Sequence, residues 1–267
     1  MKITSYFIVS TICVATLFTA CKEAPKQEKK PEITKVKDTS IPQIDAIQNA
    51  HHKDHFLSKE AIQFDIAIAF GGNEILKGNM TLTTDSSKGL IALEDGSKIY
   101  TLNNKVYYTP NIKNEKRVRF NAFTWSYFFL LPYKLSDQGT QWDEFEKTTL
   151  NGEEKNSQRL TFASGTGDAP DDWYYIYSDP KTNLISTAAY IVTLGKTKEA
   201  AEENPHAIKY SNYQSVDGIP FATDWTYWGW NKTEGLTKQI GEATLSNIHF
   251  INNTNDLFVP PADFIEK

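Results

Sequence analysis

The chain has 267 residues and a formal net charge of -5, with acidic and basic side chains interspersed along its length. A protein that binds a phosphate backbone presents a basic stripe, so this charge pattern excludes nucleic acid as an expected partner. No internal repeat of fixed period is evident, and the length that remains after the N-terminal segments is that of one domain.

Residues 1–20 have the pattern of a secretory signal. Lys2 supplies a positive start, residues 3–20 contain no charged side chain, and charged residues begin directly after Cys21. This apolar run is too short for a comfortable membrane span. The residues before Cys21 resemble a lipobox, although Phe18 stands where an aliphatic residue is usual. We therefore predict a lipoprotein signal peptide at 1–20 and a lipid on Cys21; an uncleaved anchor with an incidental cysteine is the alternative.

The predicted lipid would hold the protein to a membrane of the cell envelope, and we favour the outer membrane over the inner one. Cleavage before Cys21 would also remove Cys13, which leaves no partner for an intrachain disulfide. Residues 21–40 are rich in Lys, Glu and Pro and nearly lack apolar side chains, so we expect a flexible tether. The remaining residues, 41–267, are predicted to form a single domain.

The domain begins with a predicted short helix that carries Pro42 in its first turn and ends near His51. A period of two then replaces the helical pattern, because every even position from Ile62 to Phe70 is bulky and apolar. The same alternation predicts strands at 76–83, 89–93, 98–102 and 105–108. Asn103 and Asn104 are typical of a tight hairpin turn. Successive hairpins indicate an antiparallel meander.

A second predicted helix interrupts the meander at 119–131 and is expected to end at Pro132. Aromatic and aliphatic side chains cover nearly its whole circumference, and such a helix must be buried on more than one side. Strand patterns then return at 158–162, 173–177, 184–194, 207–214, 221–228 and 238–251. We predict an α+β fold in which about eleven strands form a strongly curved, open antiparallel sheet and short helices cover its concave face.

This order of elements resembles the LolA/LolB/LppX-like lipoprotein carrier fold. Residues 165–174, the turn at 179–184 and the segment 216–221 further resemble an uncharacterised lipoprotein family of Bacteroidota-type bacteria. The likeness covers roughly residues 41–264. The fold resemblance implies an open half-barrel that holds acyl chains against its concave apolar face. The narrower lipoprotein family has no established activity, so the resemblance to it assigns no functional residues to this chain.

Clustered aromatic side chains are an independent reason to expect a hydrophobic ligand. Large rings with few rotamers make good pocket walls, although they are also ordinary core material. We predict that a lipid or another hydrophobic molecule contacts Trp125, Phe128, Phe129, Trp225 and Tyr227. In a regular strand, Trp228 and Trp230 would point to the face opposite Trp225 and Tyr227. The function predicted from these residues is non-catalytic binding by a membrane-anchored lipoprotein.

An extracytoplasmic hydrolase acting on glycan or lipid is the alternative function. His51 and His55 would meet on one helical face at i,i+4 spacing and contribute to a metal site, although a solvated helix end is the favoured interpretation. Asp168, Asp171 and Asp172 form an acidic loop for which a structural turn is favoured over calcium binding. We expect no catalytic residue, metal or cofactor, and the oligomeric state stays undetermined.

Overall fold

An antiparallel sheet of 14 strands dominates residues 41–267, the part of the chain that the computed structural model describes. The predicted signal peptide, Cys21 and the tether lie in residues 1–40, outside the described residues. Four α-helices accompany the sheet: α1 (Pro42–Ala50), α2 (Lys53–Leu57), α3 (Val118–Lys134) and α4 (Lys198–Glu202). Among the described residues, no helix has both the length and the hydropathy needed to cross a membrane.

The strands of the first half are β1 (Ala61–Phe70), β2 (Asn73–Thr83), β3 (Lys88–Leu93), β4 (Lys98–Leu102), β5 (Lys105–Tyr108), β6 (Thr140–Trp142) and β7 (Glu146–Leu150). Those of the second half are β8 (Glu153–Phe162), β9 (Tyr174–Ser178), β10 (Ile185–Tyr190), β11 (His206–Val216), β12 (Ile219–Asn231), β13 (Gly235–Ile251) and β14 (Ile265–Glu266). The spatial order is β14-β5-β4-β3-β2-β1-β13-β12-β11-β10-β9-β8-β6, with β7 also paired to β8. The sheet therefore stays open, as predicted.

Strand β1 shows why the alternation is informative. Its even positions Ile62, Phe64, Ile66 and Ile68 are buried in the main core, while the intervening residues are partly exposed or small. A strand whose side chains alternate between two faces buries one set and leaves the other nearer to water. Pairing with β2 on one side and β13 on the other places β1 near the middle of the sheet.

The hairpin prediction at Asn103 is confirmed. Asn103 adopts a φ of 55° and joins β4 to β5, which pair antiparallel from Ile99 opposite Tyr108 to Leu102 opposite Lys105. Three strands have no counterpart among the predicted elements, namely β6, β7 and β14. They are two to five residues long and largely exposed, so they lack a run of buried residues that a period-two search detects.

The two faces of the sheet carry different packing. The face that α3 covers, here called the inner face, holds the main core with Phe64, Trp225 and Tyr227. The opposite or outer face holds a smaller cluster that includes Trp173, Tyr177 and Trp230. Trp225 and Trp230 of β12 therefore belong to clusters on opposite faces, as predicted for these two tryptophans.

The aromatic helix α3 is longer than predicted. It begins at Val118 and continues through Pro132 to Lys134, so the prediction that Pro132 ends the helix is wrong. A proline removes one backbone N–H and disturbs the turn before it. Here it lies in the last turn, where few further helical hydrogen bonds depend on it.

Candidate functional site

A narrow crevice separates the second half of α3 from the end of α1 and from strands β10 to β12. Its cavity volume is about 20 Å³, which is room for about one water molecule. The walls are almost entirely apolar or aromatic. They consist of His51, Phe128, Phe129, Pro132, Tyr133, Ile185, Tyr210, Tyr213, Pro220, Phe221, Ala222 and Trp225.

The structure brings the five predicted ligand-binding residues together in the main core. Phe128, Phe129 and Trp225 line the crevice. Trp125 and Tyr227 lie deeper, with their ring centroids 6.1 Å apart, and Tyr227 also lies 6.2 Å from Phe128. All five side chains are buried. Their ligand contact therefore remains a prediction, while their packing against one another is a property of the fold.

Phe129 joins α3 to both halves of the sheet. Its ring stacks on Phe64 of β1 with centroids 4.2 Å apart and lies parallel to Phe221 of β12 at 5.5 Å. Stacked and offset aromatic pairs add stabilisation beyond the area that they bury. Phe129 is therefore both a wall of the crevice and a main attachment of the helix.

His51 lies at the crevice in a conformation that the sequence pattern does not indicate. Helix α1 ends at Ala50, and His52 adopts a left-handed φ of 54° before α2 begins. The prediction that His51 and His55 share one helical face is therefore wrong. His51 is buried, whereas His55 is exposed with Nε2 3.7 Å from a carboxylate oxygen of Asp217.

The imidazole of His51 is held neutral. Its Nε2 accepts a hydrogen bond from the backbone N–H of Ile185 at 3.1 Å, so the proton of the neutral ring belongs on Nδ1. Burial away from water, followed by the nearby charge of His52, lowers the pKa of His51 to about 3. Nδ1 is buried and has no hydrogen-bond partner among the described residues.

Tyr133 supplies a second buried polar group at the crevice. Its hydroxyl has no hydrogen-bond partner within residues 41–267, and its ring lies edge-on to His51 at 6.4 Å. Burial raises the pKa of Tyr133 well above its ordinary value, which keeps the hydroxyl protonated. Tyr213, by contrast, donates its hydroxyl hydrogen to the carbonyl oxygen of Ile185 at 2.6 Å. Among the described residues, the apolar walls thus include two hydrogen-bond donors that have no acceptor, His51 Nδ1 and the Tyr133 hydroxyl.

Pro132 explains a hydrogen bond between α3 and the sheet. In an α-helix the carbonyl of Phe128 would accept from the N–H of residue 132, which proline lacks. The hydroxyl of Tyr210 on β11 donates to that carbonyl instead, at 2.9 Å. Tyr210 and Phe128 are both buried, so this bond is made away from water.

Substituting Tyr210→Phe is expected to lower the free energy of unfolding by about 1–3 kcal/mol, because it leaves the buried Phe128 carbonyl without a donor. The same substitution in a Pro132→Ala background should cost less, since alanine restores the helical N–H. Urea unfolding of the wild type, both single variants and the double variant measures this coupling. If Tyr210→Phe lowered the free energy of unfolding equally in both backgrounds, the Tyr210 hydroxyl would not be replacing the missing N–H of Pro132.

The acidic loop has structural partners. Asp168 accepts two hydrogen bonds from the guanidinium of Arg119, at 2.6 and 2.7 Å. Asp172 accepts hydrogen bonds from the backbone N–H and the hydroxyl of Thr193. Burial raises the pKa of Asp172, and the hydrogen bonds from Thr193 oppose this effect. No group of three His, Cys, Asp or Glu side chains that would hold a metal ion occurs between residues 41 and 267.

Several crevice residues were not among the predicted site residues, notably Tyr133, Tyr210, Tyr213 and Phe221. Tyr210 and Tyr213 are three apart in β11 and would face opposite sides of a regular strand. Asn212 between them has a φ of 51°, and this local break lets both rings reach the crevice. An asparagine between two tyrosines is only a weak sequence signal for such a break in the strand, although Asn tolerates positive φ better than most residues.

Comparison with known proteins supports the fold. The structure is similar to a LolA superfamily protein from Nitrosomonas europaea, with 10% sequence identity, a TM-score of 0.52, and coverage of 80% of this chain and 97% of that one. A DUF1329 family protein from Desulfovibrio piger is 14% identical, with a TM-score of 0.50 and coverage of 82% and 100%. A domain assigned to outer membrane lipoprotein sorting in Vibrio parahaemolyticus is 12% identical, with a TM-score of 0.51 and coverage of 80% and 94%.

At these identities the likeness concerns the fold alone, and the predicted LolA-like carrier fold is confirmed. A sequence model for a family of unknown function, DUF6503, matches residues 80–240. This match includes all of α3 and the crevice-lining strands β10 to β12. No curated protein matches the chain significantly.

Proposed function

Because the chain belongs to the DUF6503 family, whose function is unknown, we propose a function from the crevice and the fold. The protein is a lipoprotein of the cell envelope, anchored through Cys21, that binds an acyl chain or a similar apolar molecule between α3 and the inner face of the sheet. Its role is binding rather than catalysis.

The position of α3 carries this proposal. A helix whose Trp125, Phe128 and Phe129 share one face at i,i+3 and i,i+4 spacing lies against a sheet that does not close on itself. Aromatic side chains on a helix and on a facing sheet form walls that suit apolar ligands. The solved structures with the same fold include the domain from Vibrio parahaemolyticus assigned to outer membrane lipoprotein sorting, which is consistent with an envelope role.

The size of the crevice adds a requirement. A typical small-molecule site has a volume of roughly 300–1,000 Å³, whereas the crevice measures about 20 Å³. An acyl chain therefore enters only if α3 or the α1–α2 segment moves away from the sheet.

The two buried donors specify the polar end of the ligand. His51 Nδ1 and the Tyr133 hydroxyl both sit in the crevice wall without a hydrogen-bond acceptor among the described residues. A carboxylic acid or an ester carbonyl offers oxygen acceptors next to an alkyl chain. A fatty acyl group therefore matches both the apolar walls and the donors.

The proposal is tested with protein secreted through a cleavable signal peptide that replaces residues 1–21. We expect this protein in the soluble fraction, while the wild type stays with membranes. Native mass spectrometry of the soluble protein should show a bound mass that organic extraction identifies as acyl-bearing. If the protein without residues 1–21 stayed with membranes after signal cleavage, the lipid anchor on Cys21 would be contradicted. If it bound no supplied fatty acid, the proposed acyl ligand would be contradicted.

The described residues offer no observation that favours the hydrolase alternative. His51 is engaged with Ile185 and buried, and His55 lies apart from it beside Asp217. The carboxylates of Asp168 and Asp172 are held by Arg119 and Thr193.

A further inference from the structure

The outer face of the sheet carries a second and much larger opening, here called the outer cleft. It lies between the segment after α4 and the end of β12, above strands β8 and β9, and its cavity volume is about 600 Å³. Its lining includes Arg159, Trp173, Tyr175, Glu202, Trp230 and Lys232. None of them lines the crevice on the inner face.

Three aromatic rings form the floor of the outer cleft. Trp173 lies 6.0 Å from Trp230 and 5.5 Å from Tyr175, and Tyr175 lies 5.5 Å from Trp230. The two tryptophans are buried and fix the position of the ring cluster, whereas Tyr175 is only partly buried. Tyr175 is therefore the ring of the three that reaches the cleft from a rigid base, with the cations of Lys232 and Arg159 5.3 and 5.9 Å from its centroid.

Charged groups of both signs form the walls. The guanidinium carbon of Arg159 lies 5.5 Å from the centroid of the Trp173 ring, and the Lys232 ammonium lies 5.3 Å from that of Tyr175. Glu202 accepts a hydrogen bond from the indole N–H of Trp173 at 2.9 Å. Long side chains that cover aromatic rings keep their polar ends near water.

Each cation in the walls has a carboxylate nearby. Arg159 has a carboxylate of Asp143 at 3.8 Å, and Lys232 has one of Glu146 at 3.7 Å. Glu202 adds a further negative charge beside them. A site built for an anion such as phosphate concentrates uncompensated cations. The outer cleft instead offers donors and acceptors around an aromatic floor.

We propose that the outer cleft binds a short neutral oligosaccharide. A pyranose ring has a face of C–H groups that packs on an aromatic ring, here Tyr175 once the exposed Lys232 side chain moves off it, and hydroxyls at its edge that pair with Arg159 and Glu202. The cleft volume lies within the usual range for small-ligand sites. This site is separate from the crevice, so it holds whether or not an acyl chain binds there.

The test is calorimetric titration of the full chain in detergent with N,N′-diacetylchitobiose and with maltotriose, and separately with inorganic phosphate. We expect at least one saccharide to bind with a dissociation constant below about 10 mM. Tyr175→Ala should weaken that binding by about tenfold or more. Tyr107→Ala, which removes another partly buried tyrosine from β5, is the matched control and should leave the affinity within about twofold.

The Lys232→Glu variant distinguishes binding of a neutral saccharide from binding of an anion. Lys232 is largely exposed, so this variant is expected to fold. The hydroxyl partners Arg159 and Glu202 remain in this variant, so saccharide affinity should change by less than about tenfold, whereas phosphate binding would be lost. Binding of phosphate without either saccharide, or of none of the three probes to the wild type, would overturn the proposal.

Discussion

Replacing Phe129 by alanine is expected to lower the free energy of unfolding by about 3–5 kcal/mol, because a buried aromatic ring is lost and a cavity is left. Phe129 stacks on Phe64 and lies parallel to Phe221, so the variant loses contacts with both β1 and β12. Urea unfolding measured by circular dichroism gives the loss. The exposed Phe145 is the matched control, and Phe145→Ala should cost less than about 1 kcal/mol.

The Phe129→Ala variant also tests the crevice as a ligand site. Removing the ring enlarges a space that measures about 20 Å³ in the wild type, so dodecanoic acid should bind the variant more tightly. A ligand at 100 times its dissociation constant stabilises a protein by about 2.7 kcal/mol, which would restore much of the loss. A loss below about 1 kcal/mol would contradict the packing role. An absence of stabilisation by dodecanoic acid would argue against an acyl site.

The period-two alternation was a reliable guide because burial enforces it. In β1 every even residue from Ile62 to Ile68 lies in the core, and a slip by one residue would expose all of them. The same reasoning located β2 to β5 and the larger part of β8 to β13. The short edge strand β14 could not be predicted because its two residues are exposed. It is defined as a strand only by its pairing with Tyr107 and Tyr108.

Local signals failed where distant contacts decide the conformation. Pro132 normally ends a helix, but the Tyr210 hydroxyl takes the place of the missing N–H from a strand 78 positions further along the chain. His51 has a helical spacing to His55, yet the bond from the Ile185 N–H fixes its imidazole in the core. Neither partner is visible near these residues in the sequence, since both belong to the second half of the sheet.

The aromatic residues show how far a site follows from composition. Trp125, Phe128, Phe129, Trp225 and Tyr227 were singled out as pocket walls, and all five belong to the same core cluster. Composition does not distinguish a filled core from a cavity, because the same rings serve both. The small crevice and the polar atoms of His51 and Tyr133 emerge only from the packing.

Lowering the pH from 7 to 4 is expected to destabilise the wild type by about 3 kcal/mol more than a His51→Gln variant. The pKa of His51 is about 3 in the folded chain and has an ordinary value of 6.5. The unfolded chain therefore binds a proton between these values that the folded chain does not. Stability is complete above pH 6.5 and falls as the pH drops toward 3, by about 1.4 kcal/mol per unit.

Glutamine is a suitable replacement because its side-chain oxygen accepts the N–H of Ile185 and does not titrate. Acidic groups with lowered pKa values, such as Asp65, titrate in both proteins, so their contributions cancel in the difference. Urea unfolding at several pH values between 4 and 7 measures that difference. Parallel curves for the wild type and His51→Gln would show that the imidazole is not buried as a neutral acceptor.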